Sequence, residues 1–509
     1  MPSQSPRNQV MSQQQVTGFQ RDGHEWISEA SGTRWIVVIG LEVHAQLNTT
    51  TKLFCGCAYR FGAAPNSLIC PVCTGQPGTL PVLNANAVDL AIRAGLAVGA
   101  EIAEYSKFDR KNYFYCDIPK NYQITQYEEP YCRGGGITLP SGREVRLNRI
   151  HIEEDAGKSI HDQGAVTLVD LNRAGVPLIE SVTEADINNA VDAVAYVTML
   201  REILIYVGAS SADMEKGELR CDVNISVHPA GEPWRTKVEI KNLNSFAHIA
   251  ASIEHEIPRQ IIGWESGDPA QEPVQETRLF DVASGATRSM RKKEGEADYR
   301  YFPEPDLPPV LSPVANVEEI RASLPELPAQ RRERYQAQLG LSAYDAGVLT
   351  ADREVSDFFE ASARLSSEPK EAANWISNGV LRALSDDEIE ARSIDELPIK
   401  PFDLADLIGL VSKGTIHRSA ARKVLAEMLK TGKAAGALVM ELGLEQVQDD
   451  SALDAWCQEA IEAKPEIAQQ VREGKAKAVG ALMGAVMQAS GGKANPQRVR
   501  EILLGLIGE

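Results

Sequence analysis

Trp35-Ile-Val-Val-Ile-Gly-Leu-Glu-Val-His-Ala-Gln-Leu47 is the stretch on which the fold turns. From Leu41 its residues alternate strictly: Leu41, Val43, Ala45 and Leu47 are apolar, and Glu42, His44 and Gln46 are polar. Period 2 marks a β-strand with one buried and one open face. On the open face a carboxylate and an imidazole stand two residues apart and point the same way, as metal ligands or an acid/base pair must. A solvated strand face is the plainer reading of an isolated Glu-x-His, so the surrounding chain has to decide between them.

Working outward, residues 33 to about 310 read as short strands with Gly- and Pro-rich turns and a few helices. Periodicity predicts helices over Asn84–Val98 and Ala185–Val207, the second opened by Thr183. Strands are expected at Val145–Ile152, Ala165–Leu171, Leu219–Val227 and Thr236–Ile240. These elements do not form regular βαβ units, so the expected class is α+β with a mostly antiparallel sheet. The proline cluster Pro303-Glu-Pro-Asp-Leu-Pro-Pro309 closes this region, and helical patterns follow to the C-terminus. The expected organisation is a disordered leader (1–32), a sheet-bearing domain (33–323), an all-α helical domain (324–437) and a small all-α tail (438–509).

At 509 residues the chain exceeds one compact core, in line with about three domains. No run of 18 apolar residues is present, so no membrane helix is expected. The first 32 residues are polar and lack the apolar core of a secretory signal. Eight cysteines, four of them clustered, suit a reduced, cytoplasmic protein better than a disulfide scaffold. The net charge of −19 argues against nucleic-acid binding by the whole surface. Residues 411–509, however, carry 13 Lys+Arg against 12 Asp+Glu, which leaves −20 on residues 1–410. A polyanion would therefore meet the C-terminal segment.

Cys55-Gly-Cys57 and Cys70-Pro-Val-Cys73 form two thiol pairs separated by 12 residues. Two such pairs on short loops can close a tetrahedron around Zn²⁺, and with no open coordination position the zinc would be structural. Lys107-Phe-Asp-Arg-Lys-Asn-Tyr-Phe-Tyr115 interleaves three cations with four aromatics, a mixture able to hold phosphates and stack a base. Arg149-Ile-His-Ile-Glu-Glu-Asp-Ala-Gly-Lys158 sets three adjacent acids beside a histidine, and crowded acids call for a cation. Strand parity groups Glu154 with Ile150 and Ile152, but Asp155-Ala-Gly157 hints at a bulge, so the pattern leaves Glu153 and Glu154 both open. Two later strands repeat the opening design: Arg220, Asp222, Asn224 and Ser226 share one face, as do Lys237, Glu239 and Lys241. Together these polar faces read as the floor of one site. Hard oxygen ligands with a histidine suit Mg²⁺ bridging phosphates, with Arg and Lys clamping them. No Walker A, kinase glycine loop or G-x-G-x-x-G is present, so a nucleotide site would be of another type.

These blocks, VIGLEVHAQL, the two cysteine pairs, SKFDRKNYFYCDIPKNYQITQ, HIEEDAGKS, LVDLNRAGVPLIE, LRCDVNISV, VEIKNLNSF, QETRLFD and ADYRYFPEPDLPP, run in order from about residue 38 to 309. In this they resemble the B subunits of heterotrimeric aspartyl/glutamyl-tRNA amidotransferases. The resemblance implies a cradle domain related to glutamine synthetase, a helical domain and a tail that holds tRNA. It also implies partners: the glutamine-hydrolysing amidase of the heterotrimer, its small third chain, and misacylated Glu-tRNA(Gln) or Asp-tRNA(Asn). ATP, Mg²⁺ and Zn²⁺ are the cofactors it implies. It assigns Mg²⁺ to Glu42, His44, Glu154 and Glu239 as the catalytic set, and ATP or phosphate contacts to Lys111, Tyr113, Arg220 and Asp222. Zinc falls to Cys55, Cys57, Cys70 and Cys73, and tRNA contacts to Lys475, Lys477, Lys493 and Arg498. A zinc-stabilised RNA-binding scaffold, or a ligase for a free amino acid, is the rival reading. The aligned Glu42, His44, Asp222 and Glu239 speak against the first, and the late basic patch against the second.

Overall fold

A computed structural model of the chain describes residues 18–160, 164, 166–292, 299–385, 389–445, 450–473, 478–490 and 493–508. The chain divides into two compact units between Leu327 and Pro328. In the first, the strands that matter for the site are β1 (Phe19–Asp22), β2 (Glu25–Ser28), β3 (Arg34–Gln46), β4 (Asp109–Asn112), β5 (Tyr122–Thr125), β6 (Glu144–Glu154), β7 (Pro177–Thr183), β8 (Leu219–Pro229), β9 (Val238–Leu243), β10 (Glu276–Asp281) and β11 (Ala286–Lys292). Three helices accompany them: α1 (Ala85–Ala97), α2 (Ala190–Tyr206) and α3 (Phe246–Glu265). The main sheet runs β11-β10-β9-β8-β3-β7-β6 and then two short strands, Cys132–Arg133 and Glu101–Ile102. Neighbours along it are antiparallel except β9 and β10, which are parallel. The α+β class with a large, mostly antiparallel sheet is what the alternation predicts. β4 and β5 form a separate small sheet with Phe302–Pro303.

β3 lies at the centre because its apolar residues serve one continuous core. Trp35, Val37, Ile39, Leu41, Val43 and Ala45 are all at most 2% exposed. They pack with Val223, Ile225 and Ile240 of the neighbouring strands and with Val197, Leu200, Ile249, Ile253 and Ile257 of α2 and α3. Burying one face this completely fixes strand register, since a slip of one residue would turn every apolar group outward. The register holds the opposite, polar face in place.

Several boundaries differ from the sequence reading. The Thr183 hydroxyl accepts from the Leu41 amide at 2.9 Å, so this residue ends β7 rather than opening a helix. α2 begins five residues later than expected and is capped by Asn189, which accepts from the Asp192 amide. Neither β7 nor α3 is among the expected elements. β7 is buried on both faces, which removes alternation, whereas α3 carries a helical repeat in Ile249, Ile253, Ile257 and Ile261 that the sequence reading passes over. Part of the stretch expected as a leader, 1–32, is folded. Residues 1–17 lie outside the described ones, but 19–28 form a hairpin whose Trp26 pairs opposite Trp35 and is 4% exposed.

The second unit, Pro328–Glu509, is helical throughout its described part. One apolar cluster gathers residues from Tyr335 to Val439 and another from Leu453 to Ile507. Helix Ala435–Glu441 packs in the first cluster through Leu438 and Val439, so a cut at 438 would divide a helix. Among the described residues no helix is long and apolar enough to cross a membrane.

The docked hairpin makes a clear prediction. Trp26→Ala removes a buried indole and should cost about 3–5 kcal/mol, seen as a lower urea midpoint for the sheet-bearing unit. A free leader would leave that midpoint unchanged.

Candidate active site

Directly opposed residues of an antiparallel pair share a face of the sheet. On β3, His44 stands between Glu180 of β7 and Arg220 of β8, and Glu42 stands opposite Asp222 of β8. One step further, Asn224 of β8 opposes Glu239 of β9. The pleat therefore gathers acids from several strands onto one floor, and they form two groups.

The first group is Glu42, Asp222 and Glu239, each offering an oxygen within 4.8 Å of the others. Lys241 Nζ lies 2.5 Å from Asp222 and 3.4 Å from Glu239. Asn224 Nδ2 donates to Glu42 Oε1 at 2.8 Å. Thr277 of β10 donates its hydroxyl to Glu239 Oε2 at 2.8 Å, a contact set by the parallel register of Glu239 with Thr277. Burial, and then the neighbouring Glu180 and Glu239, hold Glu42 above the usual carboxylate range. Three crowded acids with one ammonium are short of positive charge.

The second group is His44, Glu153 and Glu180, again within 4.8 Å of one another. His44 Nε2 is 3.3 Å from Glu180 and 3.7 Å from Glu153. His151 Nε2 closes the ring, 3.4 Å from Glu180 and 3.5 Å from Glu153. Burial disfavours the imidazolium, but Glu180 and Glu153 outweigh it, and His151 is raised to about 9. Glu180 is correspondingly held well below its ordinary value against burial, chiefly by His151 and His44. Both groups offer hard oxygen donors, one of them with an imidazole, which fits Mg²⁺ or Mn²⁺ and not a soft ion.

The four residues expected to share one metal do not come together: Glu42 and Glu239 lie in the first group, His44 in the second, and Glu154 in neither. Glu154 does not join His44. The pleat of β6 continues to its end without a bulge at 153–155, so parity sends Glu153 to the floor with His151 and turns Glu154 to the other side. There it ion-pairs with Lys120, whose Nζ is 2.6 Å from Oε2, and accepts from the Ile124 amide at 2.9 Å. Lys111, Tyr113, Arg220 and Asp222 do gather near the floor. Lys111 lies 5.0 Å from the ring of Tyr299, in the field of Glu153 and Glu180, and Tyr113 meets that same ring edge-on. Tyr301 stacks on Tyr127 at 4.1 Å. Arg220 is held by Asp155 at 2.8 Å, which also accepts from Gln46 at 2.9 Å.

Sequence reasoning sets His151, Lys241 and Asn224 among the polar groups of the site without giving them a role, and overlooks Glu180. Asn224 and Lys241 are visible on their strand faces. Glu180 carries no signal, because β7 (Pro-Leu-Ile-Glu-Ser-Val-Thr) shows no alternation.

The four cysteines converge with all sulfurs within 4.8 Å. Cys70 and Cys73 are 3.9 Å apart, close to the roughly 3.8 Å that two sulfurs span around a tetrahedral zinc with 2.3 Å bonds. Lys52 is fully buried, donating to Cys73 Sγ at 3.5 Å and to the Leu171 carbonyl at 3.3 Å. A cavity of about 120 Å³ lies between this cluster and the Lys120–Glu154 pair. In the tail, Lys493 is exposed and Arg498 pairs with Glu501 at 3.1 Å. Lys475 and Lys477 lie outside the described residues.

Comparison with known proteins accounts for nearly the whole chain. A family model described as the GatB/GatE catalytic domain matches residues 37–318, and one described as the GatB domain matches residues 357–507. A protein of Thermodesulfovibrio yellowstonii is 48% identical over 476 residues, covering 93% of this chain and 99% of its own. One of Geotalea uraniireducens is 51% identical over 479 residues, covering 92% and 99%. Both are named as the B subunit of an aspartyl/glutamyl-tRNA(Asn/Gln) amidotransferase.

The placement of Glu154 is open to test. Lys120→Met strands a buried carboxylate and should cost about 3–5 kcal/mol of stability. Lys120→Met combined with Glu154→Met should recover most of it in a thermal melt, since the pair then leaves together.

Proposed function

The chain belongs to the GatB family of amidotransferase subunits, and on that footing we propose that it activates and amidates the side chain of an aminoacyl-tRNA on the floor of its sheet. The substrate is Glu-tRNA(Gln), Asp-tRNA(Asn) or both. A side-chain carboxylate oxygen attacks the γ-phosphorus of ATP, the bond to the bridging oxygen breaks, and ADP leaves. Ammonia, released from glutamine by the partner amidase, then attacks the acyl carbon. Phosphate departs, nitrogen loses a proton, and the amide remains.

The observation that carries this reading is the pair of hard-ligand groups interleaved on β3. Glu42 belongs to one and His44 to the other. A carboxylate must be activated because oxide is a poor leaving group. The step needs positioning and charge neutralisation rather than a protein nucleophile. Divalent cations, if held by Glu42, Asp222 and Glu239 and by His44, Glu153 and Glu180, would supply the neutralisation. Lys111, Arg220 and Lys241 stand around the floor as fixed cations for phosphate oxygens, and the Tyr113–Tyr299 pair supplies an aromatic wall for a base or an aminoacyl ester. We read Glu153 and Glu180 as ligands in place of Glu154.

The same reading treats the sheet as a glutamine-synthetase-like cradle, the cysteines as a closed, structural Zn²⁺ site, and the C-terminal segment as the tRNA holder. Lys475, Lys477, Lys493 and Arg498 are its contacts there, and the small third chain of the heterotrimer completes the assembly.

The deciding experiment combines the chain with the amidase and the small third chain, glutamine, ATP, Mg²⁺ and each misacylated tRNA, and follows the amidated product. No amidation of either tRNA would overturn the proposal. Glu42→Ala and His44→Ala should each lower tRNA-dependent ADP formation by roughly 10²–10³-fold with tRNA affinity nearly unchanged. Cys70→Ser should release zinc from the purified protein, read by metal analysis, while Glu42→Ala keeps it.

A further inference from the structure

Asn224 occupies an unusual position on the floor. Its Nδ2 donates to Glu42 Oε1 at 2.8 Å. With a cation at the trio Glu42 is a carboxylate and only accepts, so the amide end of Asn224 faces it. Its other end, Oδ1, is buried and has no hydrogen-bond partner among the described residues. A dry acceptor costs about 1–3 kcal/mol. A leucine of nearly the same shape would avoid that cost if the position were only structural.

The surroundings narrow what Oδ1 serves. Asn224 stands opposite Glu239 on β9 and opposite Gly40 on β3, one strand step from Asp222. Gly40 has no side chain to offer, so Asn224 is the polar neutral group at that edge of the Glu42–Asp222–Glu239 trio. Mg²⁺ keeps several of its waters when proteins bind it, and those waters need acceptors. Thr277 does not serve Oδ1 as a donor, because its one hydroxyl proton goes to Glu239.

We propose that Asn224 is a positioning residue for the cation at Glu42, Asp222 and Glu239. Its Nδ2 holds Oε1 of Glu42, and its Oδ1 accepts the hydrogen bond of a water carried by the cation. This rests on the reading of that trio as a cation site. It adds a residue with no charge and no direct bond to the metal, whose loss weakens the ion through its hydration.

The test uses the assembled heterotrimer and Mn²⁺ alone as the probe, titrated by electron paramagnetic resonance without ATP or tRNA. Asn224→Leu should weaken one class of bound Mn²⁺ by about 10–100-fold and change the proton relaxation rate of water on the remaining bound ion. Asp222→Asn should remove that class altogether. If Asp222→Asn abolishes it and Asn224→Leu binds Mn²⁺ like the unaltered protein, the role of Asn224 is refuted while the site stands. If Asp222→Asn also binds normally, the cation site itself is refuted. Asn224→Ala provides the same comparison should the leucine variant fail to fold.

Discussion

Five carboxylates held on one side of a sheet are the constraint on which the rest of the structure depends. Glu42, Asp222 and Glu239 crowd together, and Glu153 and Glu180 do so beside His44. At an effective dielectric near 20, two unit charges 4.8 Å apart repel by roughly 3.5 kcal/mol. Left to themselves such strands would slip or part. They do not, because the same strands carry, on the reverse of each pleat, the apolar groups that fill the core under α2 and α3. Burial of that face fixes register, and register confines the acids. Basic residues offset part of the repulsion: His44 and His151 in one group, Lys241 in the other.

How much of this is legible in the sequence follows from the same geometry. β3, β8 and β9 show their polar faces as alternation, so Glu42-x-His44, Arg220-x-Asp222-x-Asn224 and Glu239-x-Lys241 are visible directly. The strand Pro177–Thr183 is buried nearly throughout, so Glu180 sits in a run with no period to mark it. Glu153 and Glu154 show a different limit. Adjacent acids at the end of a strand are opposite in facing, and only the pairing of His151 with Glu180 and of Glu153 with Leu178 says which faces the floor. The hairpin at 19–28 escapes notice because its strands are four residues long and its anchor is one tryptophan in a polar stretch.

The floor and the reverse side of β6 also separate two kinds of acid. Glu154 has its charge met in full: Lys120 lies against both its oxygens and the Ile124 amide adds a further hydrogen bond. Such a pair is a complete structural unit. Glu42 is in the contrary state, held above the usual carboxylate range by burial and by its acidic neighbours, with a neutral amide as its hydrogen-bond donor. A fold selected for stability alone would replace it with leucine, since removing a crowded acid relieves both desolvation and repulsion.

The cysteine cluster obeys the same logic in softer chemistry. Lys52 is fully buried with no carboxylate in ion-pair range among the described residues. It points its ammonium at Cys73. A buried ammonium is costly without an anion, and neutral thiols do not supply one. Thiolates do, and four of them at tetrahedral spacing are stable together only around a cation. The lysine thus favours a thiolate at Cys73, one of the four donors that meet there. At the cysteines and on the floor alike, the donor atoms set the kind of ion the group suits: a softer one where sulfur gathers, a hard one where oxygen does.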